Sequence, residues 1–297
     1  MFHITPIRSD LRQDPFFVGR SQELQTIITN LLQNRHTLII GDRGIGKTRL
    51  MHEVISLLTG AAHRIDIPHA QLSPDKYVTI FIDSPAPLSK FMKHLSSELM
   101  RHDQLKPVNA MKETELAEAI LKAISNSGRK PILFIDNLDT VTASHRVLLE
   151  KLLEVATVCG GSQSVKQQPI LKKIFDSFMI VAACPLATEE SLQLIDYFVE
   201  HYKVRAPDRR LFRNQISKVS QGNPFQLKTF LHAAVTKGFH GQRRYTRTCI
   251  FSQRPRLLQS TVGRHAARSR NAGHGSAVRT GACGVLAVED PVHRRLK

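Results

Sequence analysis

Acidic residues are few in this chain of 297 residues: 25 Asp and Glu stand against 42 Lys and Arg, a formal charge of +17. Cysteine is also sparse. Cys159, Cys184, Cys249 and Cys283 lie far apart and form no C-x-x-C pair. That spacing points to neither a zinc site nor a disulfide framework, and it makes a reducing cytoplasm the expected location. No run of 18 or more apolar residues occurs, which speaks against a helical membrane span. Residues 1–14 carry charges and lack the apolar stretch of a secretory signal. His63 and His69 have no third or fourth ligand near them in sequence, so they read as exposed loop histidines. Hydrophobic content is 41%, enough for a core, and the length allows one large or two modest domains.

The basic surplus is unevenly spread. Residues 239–297 hold eleven Arg and one Lys against Glu289 and Asp290, a local charge of +10, which leaves +7 for residues 1–238. Beyond residue 239 neither a helical nor a strand period persists, and Arg, Ala, Gly, Ser and His dominate. This stretch is expected to be disordered or poorly packed. Two explanations stand side by side. It is a basic arm that meets the phosphates of DNA, or it is the product of a shifted reading frame.

Gly41-Asp42-Arg43-Gly44-Ile45-Gly46-Lys47-Thr48 reads G-x-x-x-x-G-K-T, a phosphate-binding P-loop. Its glycines let successive backbone N–H groups converge on one concavity. Lys47 carries a point charge toward the β and γ phosphates, and Thr48 offers a hydroxyl to Mg²⁺. The setting agrees. Leu38-Ile39-Ile40 is an apolar run fit for a buried strand, and residues 48–58 repeat apolar positions at helical spacing before Gly60, a natural C-cap. Strand, glycine-rich turn and helix together aim a helix N-terminus at a phosphate.

Further strands are expected at residues 77–83, 131–136 and 178–183, and helices at about 88–100, 113–125 and 146–158. Ser21 is expected to cap a helix that runs to Leu32. Residues 160–168 are polar and rich in Gly, Ser and Gln, which predicts a mobile loop. Helices are expected to dominate from 189 to about 237, with Arg209-Arg210 on a solvated face. The fold class is therefore α/β. It is a three-layer P-loop NTPase sandwich with a parallel sheet in residues 1–190, a small helical lid in 191–238 and an irregular basic tail in 239–297.

Two acids complete the expected chemistry. Asp136 ends an apolar strand and emerges beside the phosphates, where it would hold Mg²⁺. Many P-loop ATPases follow this acid with Glu. Here Asn137 follows, which cannot usefully take a proton, so Asp139 is the candidate base, with a helix N-cap as its alternative role.

These residues resemble the STAND class of AAA+-related ATPases. Phe17-Val18-Gly19-Arg20 with Glu23-Leu24 resembles the class's opening motif, which lies against adenine. Leu133-Phe134-Ile135-Asp136-Asn137-Leu138-Asp139 resembles its Walker B form. Gly222-Asn223-Pro224-Phe225 resembles the G-x-P motif of its helical domain. The resemblance covers about residues 15–235. It implies that Val18, Gly19, Arg20, Gly41, Gly44, Ile45, Gly46, Lys47, Thr48, Arg49 and Pro224 bind ATP. Thr48 and Asp136 would take Mg²⁺, and Lys47, Asp136 and Asp139 would serve hydrolysis. The class commonly acts by nucleotide-dependent assembly.

The chain departs from the class pattern in two further places. Ala183-Cys184-Pro185, expected after the fourth strand, offers no charge to a γ-phosphate, and the G-x-P region lacks an Arg. With Asn137, these departures imply tight binding and slow turnover. Three functions follow: an ATP-driven switch, a DNA-handling ATPase similar to origin-recognition or transposition regulators, and a truncated regulator that lacks its effector domain.

Overall fold

A computed structural model describes residues 16–61, 74–101, 111–164, 172–204, 206 and 208–237. The expected basic tail, and His63 and His69, lie outside the described residues. Five strands form one sheet: β1 (Thr37–Ile40), β2 (Tyr77–Ile82), β3 (Lys130–Ile135), β4 (Thr157–Ser162) and β5 (Met179–Ala182). Their order across the sheet is β2-β3-β4-β1-β5, and every pair is parallel. The helices are α1 (Ser21–Leu32), α2 (Lys47–Leu58), α3 (Leu88–Arg101), α4 (Glu113–Ser125), α5 (Arg146–Val155), α6 (Lys172–Phe175), α7 (Thr188–His201), α8 (Arg209–Ser220) and α9 (Pro224–Lys237).

Both faces of the sheet are covered, which is why its strands read as continuous apolar runs. Successive residues part to opposite sides. Ile39, Ile132, Phe134 and Cys159 meet α1 and α2 through Leu24, Ile27, Leu50 and Val54. Leu38, Leu133, Ile135 and Val158 meet α3, α4 and α5 through Phe91, Leu95, Ile120 and Leu149. The result is the P-loop NTPase sandwich expected from the sequence. A third cluster, with Leu194, Phe198, Phe212, Leu227 and Leu231, holds α7, α8 and α9 together.

The expected bounds of most elements agree with the structure. The end of α2 shows why. Gly60 takes φ +71°, its N–H meets the Leu57 carbonyl, and the Ala61 N–H reaches back to Ser56, a Schellman stop. At α1 the expectation changes. Arg20, in the left-handed region at φ 60°, occupies the N-cap with no side-chain capping bond, and Ser21 is the first helical residue.

The largest difference concerns residues 157–162. The expected mobile loop at 160–168 is, in its first part, the central strand of the sheet. All six residues of β4 are buried, and residues 165–168 lie outside the described part. The helix expected to run to 158 stops at Val155 to make room for β4. The glycines misled because they serve packing. A Cβ on Gly160 would lie 2.3 Å from Leu138 Cδ1, and one on Gly161 would lie 2.6 Å from Asp136 Oδ1. The strand at 178–183 is therefore the fifth, an edge strand beside β1.

Candidate functional site

Every parallel strand points its C-terminal end to one edge of the sheet, the edge where open α/β sheets bind ligands. The loop between β1 and α2 emerges there. Gly44 and Gly46 hold φ of +80° and +99°, so the loop folds back before α2 begins. Lys47 is almost buried at 9% exposure and donates from Nζ to its own loop, to the carbonyls of Gly41 (2.8 Å) and Asp42 (3.2 Å). Burial lowers its ammonium pKa from the usual lysine range, and the carboxylates of Asp136, Asp139 and Asp42 pull it back up. The amine thus lies folded along the loop among acids, ready to exchange two carbonyls for an anion.

On the far side of β4, β3 leads directly into Asp136, which is 4% exposed. The Thr48 hydroxyl donates to Asp136 Oδ2, and the Asn137 N–H donates to Oδ1 at 2.8 Å. A hydroxyl and a carboxylate side by side are hard oxygen donors of the kind Mg²⁺ takes. Among the described residues no cluster of three or more His, Cys, Asp or Glu could hold a metal alone. The pair fits an ion that draws its other ligands from phosphate and water.

A cavity of about 450 Å³ opens over this edge. Its floor is Gly44 to Arg49, with Asp136 and Asn137 beside them. Phe16, Phe17 and Val18 form one wall, and Leu194, Pro224 and Phe225 another. The lining thus joins polar and charged groups with apolar side chains, as a nucleotide requires. Pro224 begins α9, with Asn223 as its cap: Asn223 Oδ1 accepts from the N–H groups of Phe225 (3.0 Å) and Gln226 (3.2 Å). The same turn meets the P-loop. Phe225 N–H donates to the Gly44 carbonyl at 3.2 Å, and Asn223 Nδ2 to the Arg43 carbonyl at 3.3 Å.

Arg20 ties the opening motif to this edge. Its Nη2 donates to the carbonyls of Ile45 (2.6 Å) and Cys184 (2.9 Å), and its backbone N–H reaches Glu190 at 3.3 Å. Desolvation lowers the guanidinium pKa, against the pull of Glu23 and Glu190. Nη1 is buried without a hydrogen-bond partner, and Arg20 lines the cavity.

The expected site residues Val18, Arg20, Gly44, Ile45, Gly46, Lys47, Thr48, Arg49, Asp136 and Pro224 all line this cavity. Gly19, Gly41 and Asp139 do not. The Gly41 N–H is given to the Ser162 carbonyl at 3.3 Å. The Asp139 carboxylate faces β4: it accepts from Ser162 Oγ at 2.6 Å and from the Gln163 N–H at 2.8 and 3.0 Å.

Two polar lining residues escaped the sequence reading, Gln163 and Lys228. The fourth strand ends at Ser162, so the side chain it delivers beside Asp136 is Gln163. Ala183-Cys184-Pro185 therefore follows the fifth strand and not the fourth as expected, and the residue after the fourth is the polar, uncharged Gln163. Lys228 stands one turn after Pro224 on α9, a spacing that places both on one helix face. Its Nζ lies 5.4 Å from the centre of the Phe198 ring. The G-x-P region lacks Arg, yet it does bring a cation to the cavity.

An AAA ATPase domain matches residues 17–165, just over half of the chain. The chain belongs to the AAA ATPase domain family. The match takes in both the P-loop and the strand that carries Asp136. Solved structures agree in fold. The ORC1 protein of Aeropyrum pernix, determined in complex with DNA, superposes with a TM-score of 0.57 at 15% identity over 76% of this chain and 62% of that one. The ORC2 protein of the same organism, in ADPNP–ADP complexes, gives a TM-score of 0.51 at 12% identity over 76% of this chain and 64% of that one. This AAA chain thus spans somewhat under two thirds of their length. No curated protein matches it in sequence. No helix among the described residues is long and apolar enough to cross a membrane.

Proposed function

We propose that this AAA domain binds ATP with Mg²⁺ and works as a nucleotide-dependent switch of the STAND class, with slow turnover. One observation carries the reading. The cavity lies between the P-loop and the helices α7 and α9, and the G-x-P turn bonds directly to loop carbonyls at Arg43 and Gly44. A ligand that enters the loop therefore alters what holds the helical lid (residues 191–238), the arrangement a switch needs.

In this reading Phe17, Val18 and Pro224 enclose the base and Lys47 binds the β and γ phosphates. Thr48 and Asp136 hold Mg²⁺, which neutralises phosphate charge. Gln163 and Lys228, which also line the cavity, serve the γ end. Slow turnover rests on Asn137, which stands beside Asp136 and takes no proton. The test has two readings. The protein is predicted to hydrolyse ATP more slowly than ~1 s⁻¹, below the ordinary enzyme range. Sedimentation is predicted to differ between its ATP and ADP forms. Fast turnover without a partner, or identical sedimentation in both forms, would contradict the switch.

The surplus of +17 favours one second reading, a DNA-handling ATPase. The ORC1 protein superposed above was determined in complex with DNA. That reading predicts DNA binding that weakens steeply between 50 and 200 mM salt, by about 10³ if six or more phosphates are contacted.

A further inference from the structure

The central strand β4 ends between the two halves of the phosphate site and is tied to both. On one side the Ser162 carbonyl accepts from the Gly41 N–H, where the P-loop begins. On the other the Asp139 carboxylate accepts from two donors, the Ser162 hydroxyl in β4 and the Gln163 N–H after it, the latter shared between both oxygens. The Ser162 hydroxyl also lies 3.1 Å from the Ser164 carbonyl, but its one proton has the shorter path, 2.6 Å, to the charged acceptor. Asp139 lies in the single turn Leu138–Thr140, directly after the Asp136-Asn137 pair. A carboxylate that accepts one N–H across both oxygens and a hydroxyl on one of them is held firmly, since bonds to a charged acceptor are the strong ones. Its oxygens meet β4 and the residue after it, and Asp139 does not line the cavity.

We propose that Asp139 is a positioning residue. It clamps Ser162 and the Gln163 backbone so that the Gln163 side chain faces the γ-phosphate, and it thereby sets the preference for ATP over ADP. This rests on the proposed nucleotide site and gives Asp139 a role other than the base expected from the sequence. Gln163 is exposed, so its own substitution leaves the core intact. Asp139→Asn keeps the shape but sets an amide NH₂ against donors, which breaks at least one bond of the clamp.

The test measures ATPγS and ADP affinities by calorimetry for the full chain, Q163A, D139N and the double variant, with melting curves as a folding check. ATPγS affinity is expected to fall about tenfold in each single variant, the scale of one lost bond, while ADP affinity changes less than about twofold. The double variant is expected to be no weaker than Q163A, because both act through one contact. Equal losses for both nucleotides in D139N would show a merely structural role. Unchanged affinities in D139N, with or without lost turnover, would show that the clamp does not act on the γ end. Either result overturns the inference alone. A wild-type chain that binds neither nucleotide overturns the functional reading and the inference with it.

Discussion

Arg20 does three jobs with one side chain and one N–H. Its Nη2 closes the P-loop at Ile45 and the turn after β5 at Cys184, and its N–H meets the first turn of α7 at Glu190. The two protons of Nη2 serve one carbonyl each, and the planar guanidinium fixes their directions, which an ammonium on a flexible stem does not. Arg20→Ala is predicted to lower unfolding free energy by about 2 kcal/mol in urea, the net loss for a buried, charge-assisted pair of bonds. Arg20→Lys is predicted to restore less than half of it. Full restoration by lysine would show that charge alone matters. The sequence made Arg20 legible as a ligand residue through its motif, but not as a clip. Its partners at 45, 184 and 190 are distant in sequence and share no pattern with it. Gln163 was hidden for a different reason: its place depends on which strand is fourth, and glycine obscured that strand.

At the scale of elements, β4 shows what a composition signal misses. Gly160 and Gly161 are there because the central strand passes between Leu138 on one face and Asp136 with Met51 on the other. Gly161→Ala puts a methyl 2.6 Å from Asp136 Oδ1 and 2.9 Å from Met51 Cε. It is predicted to cost about 1–3 kcal/mol, as overpacking does, and to weaken the Mg²⁺ dependence of nucleotide binding; an unaltered midpoint in urea would oppose this. Helix α2 was readable almost to the residue because apolar period and stop signal, Gly60, agree there.

The start of β4 has a pH-sensitive tie. Val158 N–H donates to His36 Nδ1 at 3.2 Å, and burial lowers the pKa of that imidazole from 6.5, a Leu153 backbone bond partly opposing. A base whose folded pKa is depressed takes its proton more readily when unfolded. The stability it gives is therefore whole above about pH 6.5 and declines as pH falls through that value. The melting temperature is predicted to drop between pH 7 and 5, and to drop less in His36→Gln. An equal slope in the variant would remove His36 from the account.

For the whole molecule, the sheet order brings P-loop, Asp136 and Gln163 to one edge. The sequence contained the parts of that edge, since β1 and β3 each end in a recognisable motif. It did not contain their distances, nor the bond by which Phe225 meets Gly44. Those arise because α9 returns across the sheet edge, with its cluster around Phe198 and Phe212 holding it in place. The AAA family match stops at residue 165, so the helical wall of the cavity is known from the fold alone.

The central claim is that one phosphate ligand is held where these parts meet. Calorimetric titration of MgATP into the wild-type chain and into Lys47→Ala tests it most directly. Saturable binding to one site in the wild type is predicted, with affinity at least ~100-fold weaker in the variant, about 2.7 kcal/mol. Equal affinity in the two proteins would contradict the account.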